Sequence, residues 1–368
     1  MKRIILSGGG TGGHIYPAVA VAEALKRKYG EEVEILFVGA EGKMEMEKIP
    51  ALGYRIEGLP VAGLQRRLTL SNLLLPFKVA TSVRRAKRVI RDFGADIVVG
   101  FGGYASAPVL WAAQRLGIPT VIQEQNSYAG LTNKLLSKRA KRICVAYDNM
   151  ERFFPKERIV MTGNPLRGRF SAGGDNREEA LRYYGFNDQM PVVLVVGGSL
   201  GTRTLNEMMK AWIAGLDGVA PVQVIWQTGK FYEREMQEFL RNHPTKNIWQ
   251  GAFIERMDYA YAAADVVLSR SGACTVSELC LVAKPTIFVP SPNVSEDHQT
   301  KNAMALVEKG AAEIVRDSEA VAKGMAEAVA LATNEERLEM LAANISKLAI
   351  SDSAMRVVEV IDEELKRA

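Results

Sequence analysis

The stretch from Ser7 to His14 constrains the fold more than any other part of this chain. Five of its residues are glycine. Residues 3–6 before it have the pattern of a short buried strand, and residues 17–25 after it have the pattern of a helix. A strand, a glycine loop and a helix in this order bring backbone N–H groups close to an anion, because glycine has no Cβ in the way. The sequence therefore predicts an anion-binding α/β unit at the start of the chain.

The rest of the first half repeats this alternation of strand-like and helix-like segments. Strand-like runs cover residues 33–38, 96–99, 119–122 and 142–146, and glycine or amide side chains follow the first three. Such alternation is typical of a parallel sheet with helices on both faces, where ligands bind at the carboxyl ends of the strands. We expect these polar loops to lie together at one edge of the sheet.

The pattern starts again after a polar linker at residues 171–176. A buried strand at 191–196, a glycine-rich loop at 197–202 and a following helix repeat the opening stretch in the same order. The chain is therefore predicted to contain two similar α/β halves of the nucleotide-binding type.

The length of 368 residues also predicts two domains, since a single compact core rarely grows so large. We place the first domain at residues 1–165 and the second at 166–349. A final helix, within about residues 350–368, is expected to cross back to the first domain.

Composition argues against several classes of protein. Apolar residues make up 48% and charged residues 24%, as in soluble globular proteins, and no apolar run reaches the roughly 18 residues of a membrane span. The three widely spaced cysteines predict neither a disulfide framework nor a zinc site and fit a reducing cytoplasm. A divalent metal is not implied, because the predicted ligand loops hold no Asp-x-Asp pair and no His/Cys cluster. No other cofactor is expected. The net charge of +5 is mild, and no nucleic-acid partner is expected.

Residues 58–91 contain no Asp or Glu but carry eight Lys or Arg residues interleaved with leucines. One interpretation is an amphipathic helix whose leucines pack on the core while its arginines are solvated. The other is a surface that docks on anionic lipid, with apolar side chains dipping in and cations around them. Composition leaves both open.

His14 directly follows the glycines and is one of three histidines. The positive end of a helix dipole disfavours a protonated imidazole, so His14 is expected to be neutral near pH 7 and able to act as a general base. The alternative is a residue that only hydrogen-bonds to a neighbouring loop. Gly8, Gly10 and Gly13 also fit a G-x-G-x-x-G dinucleotide motif, but the nearest acidic candidate, Glu41, comes later than that motif requires.

A second anion-binding stretch runs from Ser269 to Glu278. Small and hydroxyl residues precede a predicted helix, so N–H groups at residues 272–276 are expected to bind a diphosphate without a metal. Thr275 and Glu278 have the spacing of a capping box, which is the interpretation that the residues alone favour. Glu278 can instead accept hydrogen bonds from a ribose diol.

Two further polar loops, at residues 124–126 and 297–299, follow predicted strands. Amide side chains at strand ends suit a hydroxyl-rich ligand such as a sugar. The alternative for each loop is that it is simply solvated.

Taken together, these stretches resemble the bacterial MurG enzymes over almost the whole chain. Those are the undecaprenyl-diphospho-muramoylpentapeptide N-acetylglucosaminyltransferases of peptidoglycan synthesis. The motifs that carry the resemblance, in the family's order, are residues 9–14, 102–104, 124–126, 163–165, 197–199, 270–273 and 275–278.

The resemblance implies a glycosyltransferase-B fold, with two doubly wound parallel-sheet domains that face a cleft and a C-terminal helix that returns to the first domain. It implies transfer of N-acetylglucosamine, with inversion, from UDP-N-acetylglucosamine to the muramoyl 4-hydroxyl of lipid I, which gives lipid II. It also implies a peripheral enzyme on the cytoplasmic face of the inner membrane, bound to an anionic membrane surface.

Residue roles carry over by position. The resemblance implies that Ile254 binds uracil through its backbone and that residues 273–277 bind the diphosphate. It also implies that Glu278 binds the ribose rather than forming a capping box. The full set of implied substrate-binding residues is Thr11, Gly12, Gly13, Asn126, Arg167, Ser199, Ile254, Ala273, Cys274, Thr275, Val276, Ser277, Glu278 and Gln299. His14 is our predicted catalytic base, although it can instead orient the acceptor or a diphosphate.

The implied membrane-facing residues lie in the basic region: Leu64, Arg66, Arg67, Leu73, Leu74 and Phe77. The first glycine loop then becomes the acceptor side, able to take the lipid I diphosphate and to touch the donor through Thr11. The resemblance assigns the donor-sugar contact to Gln299. Some family members have two glutamines where this chain has His298 and Gln299, so His298 is the alternative.

Three other functions remain open at this point. One is an NAD-type oxidoreductase built on the first glycine loop, and another is a sugar-nucleotide-binding module without turnover. The third is a UDP-N-acetylglucosamine 2-epimerase, a class of enzyme that shares the fold and the donor.

Overall fold

The computed structural model describes residues 1–61, 75–166, 176–198 and 200–367. The chain divides into two compact units, Met1–Gly168 with Ile350–Ala368, and Arg169–Ala349. Several residues singled out from the sequence lie outside the described ranges: Leu64, Arg66, Arg67, Leu73, Leu74, Arg167 and Ser199. The side chain of Phe77 also lies outside what the structure describes.

The first unit contains, in its described part, a parallel sheet of seven strands in the order β3-β2-β1-β4-β5-β6-β7. Its strands are β1 (Lys2–Ser7), β2 (Val33–Ala40), β3 (Arg55–Leu59), β4 (Ile97–Gly100), β5 (Thr120–Glu124), β6 (Arg142–Val145) and β7 (Ile159–Met161). Strands β2 and β3 follow β1 towards one edge of the sheet, whereas β4 lies on the other side of β1. A topological switch point, where ligands bind in such sheets, therefore lies between β1 and β4.

Helices cover both faces of this sheet. They are α1 (Gly12–Tyr29), α2 (Glu45–Ala51), α3 (Leu75–Phe93), α4 (Ser106–Leu116), α5 (Leu131–Ser137) and α14 (Ser353–Arg367). In β1, Ile4 and Leu6 pack with residues of α1 and α14, whereas Ile5 packs on the other face with Ile90 of α3 and Leu110 of α4. Because both faces are covered, all three β1 residues are fully buried and the strand reads as a continuous apolar run.

The second unit repeats this plan with six parallel strands, within the described ranges, in the order β10-β9-β8-β11-β12-β13. The strands are β8 (Val192–Val196), β9 (Val219–Gln227), β10 (Lys246–Gly251), β11 (Val266–Ser269), β12 (Thr286–Phe288) and β13 (Glu313–Ile314). The helices are α6 (Arg177–Tyr184), α7 (Arg203–Ala214), α8 (Glu233–Asn242), α9 (Met257–Ala263), α10 (Ala273–Val282), α11 (His298–Val307), α12 (Asp317–Ala332) and α13 (Glu335–Ser346). Its switch point lies between β8 and β11.

The predicted fold of two doubly wound parallel-sheet domains is confirmed, and the differences concern the sheet edges. Strands β3, β7 and β13 are absent from the sequence-based prediction. They are five, three and two residues long and partly exposed. Charged residues interrupt β3 and β13, and β7 is apolar but too short to stand out. Helix α1 begins at Gly12, inside the glycine stretch and before the predicted start at residue 17, which places His14 in its first turn.

The C-terminal helix α14 returns to the first unit, as predicted. Its Asp362, only 7% exposed, accepts hydrogen bonds from Lys2 Nζ at 3.2 Å, from Lys28 Nζ at 2.6 Å and from the hydroxyl of Tyr29. Burial by itself would raise the pKa of Asp362, but the hydrogen bonds from Lys28, Tyr29 and Lys2 lower it below its ordinary value. The charged contacts therefore stabilise the docked helix.

The two places where the chain passes between the units are bonded to each other within the first unit. Ser353 Oγ, at the start of α14, donates to the carbonyl oxygen of Asn164 at 2.6 Å. Next to it, Gly163 adopts a positive φ of 76°, and a Cβ there would lie 2.9 Å from Cβ of Ile350. Only glycine allows this close packing of the outgoing and returning segments.

No helix in the described ranges has both the length and the apolarity needed to cross a bilayer.

Replacement of Asp362 by Asn should destabilise the protein, because Lys2 and Lys28 lose their shared counter-charge. We expect a loss of about 1–3 kcal/mol in the free energy of unfolding at pH 7, measured by urea denaturation. Since the pKa of Asp362 is lower in the folded state, its contribution is fully present above the unfolded pKa of about 4 and is lost as the pH falls through the folded value. Glu359→Gln, at an exposed position of the same helix, is the control. Equal stability of Asp362→Asn and the wild type at pH 7 would contradict this assignment.

Candidate active site

In the first unit, the loops after β1 and β4 meet at the switch point. The N–H of Phe101 donates to the carbonyl oxygen of Ser7 at 2.7 Å. Gly103 has a φ of +81°, and a Cβ there would lie 2.2 Å from the carbonyl oxygen of Gly9. The two backbones are therefore in direct contact, and a side chain at residue 103 would separate them.

His14 lies in this region with one ring nitrogen held by the glycine loop. Its Nδ1 is 3.0 Å from the carbonyl oxygen of Gly9 and 3.2 Å from Oγ1 of Thr11. A carbonyl oxygen can only accept, so Nδ1 carries the hydrogen and the lone pair of the neutral ring is on Nε2. The Nε2 edge lies against Gly102, where a Cβ would approach Nε2 to 3.0 Å. This arrangement sets the tautomer that a general base acting through Nε2 requires.

The loop after β5 carries Asn126, and a buried carboxylate shapes it. Glu124, 2% exposed, accepts from the backbone N–H of Asn126 at 3.1 Å, from the N–H of Gly130 at 3.0 Å and from Nδ2 of Asn133 at 2.8 Å. The adjacent Gln125 is also buried and donates to the carbonyl oxygen of Phe101 at 2.8 Å. The interpretation of this loop as merely solvated is therefore wrong for Glu124 and Gln125, which hold Asn126 in place beside the β4 loop.

In the second unit, α10 starts directly after β11 at the switch point. Its N-cap residue is Gly272, and no side chain caps the helix start. Since the helix begins at Ala273, Thr275 is its third residue and Glu278 its sixth. The capping-box interpretation of Thr275 and Glu278 is therefore wrong, because a capping box needs the hydroxyl residue at the N-cap itself. A helix start without a side-chain cap has backbone N–H groups that suit a phosphate group.

Glu278 points instead towards α9. The hydroxyl of Tyr261, a residue only 3% exposed, donates to Glu278 Oε2 at 3.1 Å. The pKa of Glu278 is raised to about 7, because the effect of burial outweighs the opposite effect of the hydrogen bond from Tyr261. A carboxylate in this state gains from additional hydrogen-bond donors, such as the hydroxyls of a bound ribose.

Cys274, next to the start of α10, is not a reactive thiol. Burial, followed by the nearby charge of Glu278, raises its pKa to about 12. The thiol therefore stays protonated despite its position at a helix N-terminus, where thiolates are usually stabilised.

Polar side chains connect the loop after β11 to the segment after β12. Arg270 Nη1 donates to the carbonyl oxygen of Val289 at 2.7 Å, and Ser271 Oγ donates to the carbonyl oxygen of Gln299 at 2.8 Å. Oε1 of Gln299 accepts from the N–H of Ser291 at 2.9 Å. The amide nitrogen of Gln299 is then the part of its side chain with hydrogens to offer a ligand.

Ile254 lies between β10 and α9 with its side chain only 2% exposed. A buried isoleucine side chain has no polar group to offer, so any ligand contact at this position uses the backbone. The neighbouring Phe253 is 59% exposed.

Two acidic residues near the first glycine loop have contrasting environments. Glu41, the candidate for a dinucleotide ribose, forms an ion pair with Arg85 at 2.6 Å on the surface. Glu45 is fully buried under the loop and accepts from the N–H of Gly10 at 3.0 Å. Sequence reasoning missed Glu45 and Tyr261. For Glu45 a usable signal is Gly39, a glycine at the end of a strand, whereas Tyr261 has no local signal, since an aromatic residue on a helix usually packs in the core.

No group of three or more His, Cys, Asp or Glu side chains that could hold a metal ion occurs in the described part of the chain.

Comparison with known proteins gives matches along both halves. The model of the glycosyltransferase family 28 N-terminal domain matches residues 4–145, and that of the family 28 C-terminal domain matches residues 192–357. The UDP-N-acetylglucosamine–N-acetylmuramyl-(pentapeptide) pyrophosphoryl-undecaprenol N-acetylglucosamine transferase of Parabacteroides distasonis is 51% identical over 361 residues, which cover 98% of this chain and 97% of that protein.

Solved structures agree. The crystal structure of Acinetobacter baumannii MurG is similar with a TM-score of 0.78 and 30% identity, over 99% of this chain and all of that one. A UDP-GlcNAc 2-epimerase from Neisseria meningitidis, solved with UDP-GlcNAc, has a TM-score of 0.65 but 14% identity, over 99% of this chain and all of that one. The second likeness shows a shared fold alone. The chain therefore belongs to glycosyltransferase family 28 and, within that family, to the MurG enzymes.

Proposed function

We propose that this protein transfers N-acetylglucosamine from UDP-N-acetylglucosamine to the muramoyl 4-hydroxyl of lipid I, with inversion, and so forms lipid II for peptidoglycan synthesis. One observation supports this chemistry above all: Nδ1 of His14 is hydrogen-bonded to the Gly9 carbonyl oxygen, so that Nε2 has the lone pair. Family membership and a relative named for this donor and acceptor support the substrates.

The alternative functions have weaker support. The likeness to a 2-epimerase is one of fold at 14% identity. An NAD site would need an acidic group for the ribose, and Glu41 is engaged by Arg85. A binding module without turnover does not require a general base, and would not need the tautomer of His14 to be fixed.

His14 acts as the general base in this proposal. Nε2 accepts the proton of the acceptor 4-hydroxyl while that oxygen forms its bond to the anomeric carbon of N-acetylglucosamine. The bond from this carbon to the UDP oxygen breaks on the opposite face, so the configuration inverts and UDP leaves with the electron pair. The glycine loop assists as the acceptor side, with Gly12 and Gly13 offering N–H groups to the lipid I diphosphate and with Thr11 and Asn126 reaching towards the donor.

The second unit holds the donor. The N-terminal turn of α10, residues 273–277, stabilises the negative charge that develops on the leaving diphosphate. Glu278 accepts hydrogen bonds from the ribose hydroxyls, the backbone at Ile254 binds uracil, and Gln299 contacts the sugar through its amide nitrogen. Arg167 and Ser199 are assigned to the donor from sequence.

We also propose peripheral association with an anionic membrane surface through the basic region, from Leu64 to the exposed face of α3. Within α3, Ala86 and Ile90 are buried, which supports the packed-helix interpretation for that face. Arg84 and Arg88 are exposed on the same helix, and cations in this position attract anionic lipid headgroups. In this proposal the packed face of α3 carries Ala86 and Ile90, and its membrane-facing side carries Arg84 and Arg88.

The His14→Ala variant should lose at least about 100-fold in kcat at saturating substrates, because the acceptor hydroxyl has no base. UDP affinity should stay within roughly twofold of the wild type, since the proposed nucleotide residues are elsewhere. Turnover is measured as UDP release with a lipid I analogue, and affinity by calorimetry with UDP. Near-normal turnover of His14→Ala would exclude His14 as the base.

Replacement of Glu278 by Gln should stabilise the free protein while weakening UDP binding. Because the pKa of Glu278 is raised to about 7 in the folded state, the folded protein binds more protons than the unfolded one between about pH 4.5 and 7, and the stability of the wild type falls as the pH rises through this window. The variant lacks this loss, which amounts to about 3 kcal/mol, so its Tm should be roughly 6–12 °C higher at pH 8 and equal at pH 4.

The same variant should bind UDP about 10-fold more weakly, since a neutral amide is a poorer acceptor for the ribose. Glu255→Gln, at an exposed position of the same unit, is the control for both measurements. A Tm difference that does not change with pH, or unchanged UDP affinity, would contradict the environment or the role assigned to Glu278.

The double variant Arg84→Glu/Arg88→Glu should bind vesicles that contain phosphatidylglycerol roughly 10- to 100-fold more weakly than the wild type, since each basic residue contributes about 1 kcal/mol near an anionic surface. The matched control is Arg234→Glu/Arg241→Glu, which makes the same charge change at exposed positions of α8. Co-sedimentation at low and high salt provides the measurement. Equal losses in the two double variants would show a general charge effect and count against this surface.

A further inference from the structure

Glu45 is a buried carboxylate that has no role in the mechanism described above. It is the first residue of α2 and is fully buried. Oε2 accepts from the N–H of Gly10 at 3.0 Å, and Oε1 accepts from the N–H of Ala40 at 3.0 Å. The carboxylate therefore bonds the glycine loop after β1 to the end of β2.

Two glycines make room for this carboxylate. A Cβ on Gly9 would lie 2.1 Å from Oε1 of Glu45, and a Cβ on Gly39 would lie 2.6 Å from its Cγ. Any side chain at either position would displace Glu45. The loop and the strand end are thus shaped around the carboxylate.

The N–H that Glu45 holds belongs to the same peptide group as the carbonyl that holds His14. The peptide between Gly9 and Gly10 is trans, so its N–H and its C=O point in opposite directions. The N–H donates to Glu45 Oε2, and the C=O accepts from Nδ1 of His14 at 3.0 Å. Hydrogen bonds in such a chain polarise one another and fix the plane between them.

A peptide flanked by two glycines is otherwise easy to rotate. Gly10 has a φ of +83° with no neighbour within 4 Å of the position of its Cβ, so side-chain packing does not hold it. Rotation of this peptide would turn an N–H towards His14 Nδ1 and favour the tautomer with the hydrogen on Nε2.

We propose that Glu45 is a positioning residue for His14: through the Gly9–Gly10 peptide it holds the imidazole in the tautomer that has its lone pair on Nε2. This inference rests on the proposed role of His14 as the base. It requires a carboxylate, because two N–H groups need two acceptor oxygens, whereas a glutamine has one oxygen and would turn its NH₂ towards one of them.

The Glu45→Gln variant changes the side-chain volume little and should lower kcat about 10- to 100-fold, as expected when a catalytic group loses its orientation. KM for UDP-N-acetylglucosamine should stay within twofold. Glu41→Gln is the matched control, since Glu41 lies at the surface close to Glu45 in sequence and pairs with Arg85. It should retain wild-type kcat.

A double-mutant cycle with His14→Ala separates positioning from a general loss of structure. If Glu45 acts through His14, then Glu45→Gln should lower the residual kcat of His14→Ala by less than about threefold. If Glu45 only stabilises the fold, its full factor should appear in both backgrounds, and the inference would be wrong.

Nitrogen-15 NMR of protein labelled at its three histidines tests the tautomer directly, without turnover and with the wild type itself. The His14 signals are identified by their loss in His14→Ala. The wild type should show a protonated Nδ1 and an unprotonated Nε2, and Glu45→Gln should shift the ring towards the other tautomer. A wild-type ring protonated on Nε2, or a Glu45→Gln ring identical to wild type, would overturn the inference. Absence of wild-type UDP release would instead overturn the proposed function, and the NMR result would still decide whether Glu45 positions His14.

Discussion

The parallel pairing of β1 with β4 is the interaction on which the first unit depends. Ser7 pairs with Gly100 at the carboxyl ends of these strands, so the loops that follow leave the sheet side by side. Since the order in which strands are added to the sheet reverses at β1, the connections after β1 and β4 lead to opposite sides of the gap, and the two glycine loops pack directly on one another. His14 is accessible to chemistry because of this gap, and it is held in place because the gap is narrow. The second unit uses the same geometry between β8 and β11 to present the start of α10.

Three buried or partly buried carboxylates show how the fold separates structural groups from ligand-binding groups. In Glu45 and Glu124 each carboxylate oxygen already accepts from a backbone N–H group of the protein. Glu278 has one hydroxyl donor, Tyr261, in the described part of the chain, and the pKa of Glu278 is raised to about 7. The number of donors around a carboxylate, rather than its burial, therefore distinguishes a group that shapes a loop from one that gains by binding a ligand.

Much of this could be predicted from sequence because the central strands are buried on both faces and the loops after them are rich in glycine. The edge strands β3, β7 and β13 could not, since charged residues interrupt the apolar pattern of β3 and β13, and β7 is apolar but only three residues long. The position of His14 at a helix start follows from the local pattern, but its tautomer depends on a carbonyl oxygen whose direction only the structure gives. Thr275 and Glu278 show the opposite case, because a common local motif predicts a cap that the helix, which begins at Ala273, does not form. Glu45 and Tyr261 act through contacts with residues of other segments, and such contacts cannot be predicted from a local sequence pattern.

The hydrogen bond between Ser353 and Asn164 has a consequence for synthesis. It joins the segments that lead out of and back into the first unit, so the second unit is topologically an insertion within the first. Val357, Val358 and Ile361 of α14 complete the core around β1 and α1, yet they emerge from the ribosome only after the whole second unit. The second unit can therefore fold first, while one face of the sheet that carries His14 is covered by α1 but not yet by α14. During this interval the apolar surface that α14 later covers is open to aggregation.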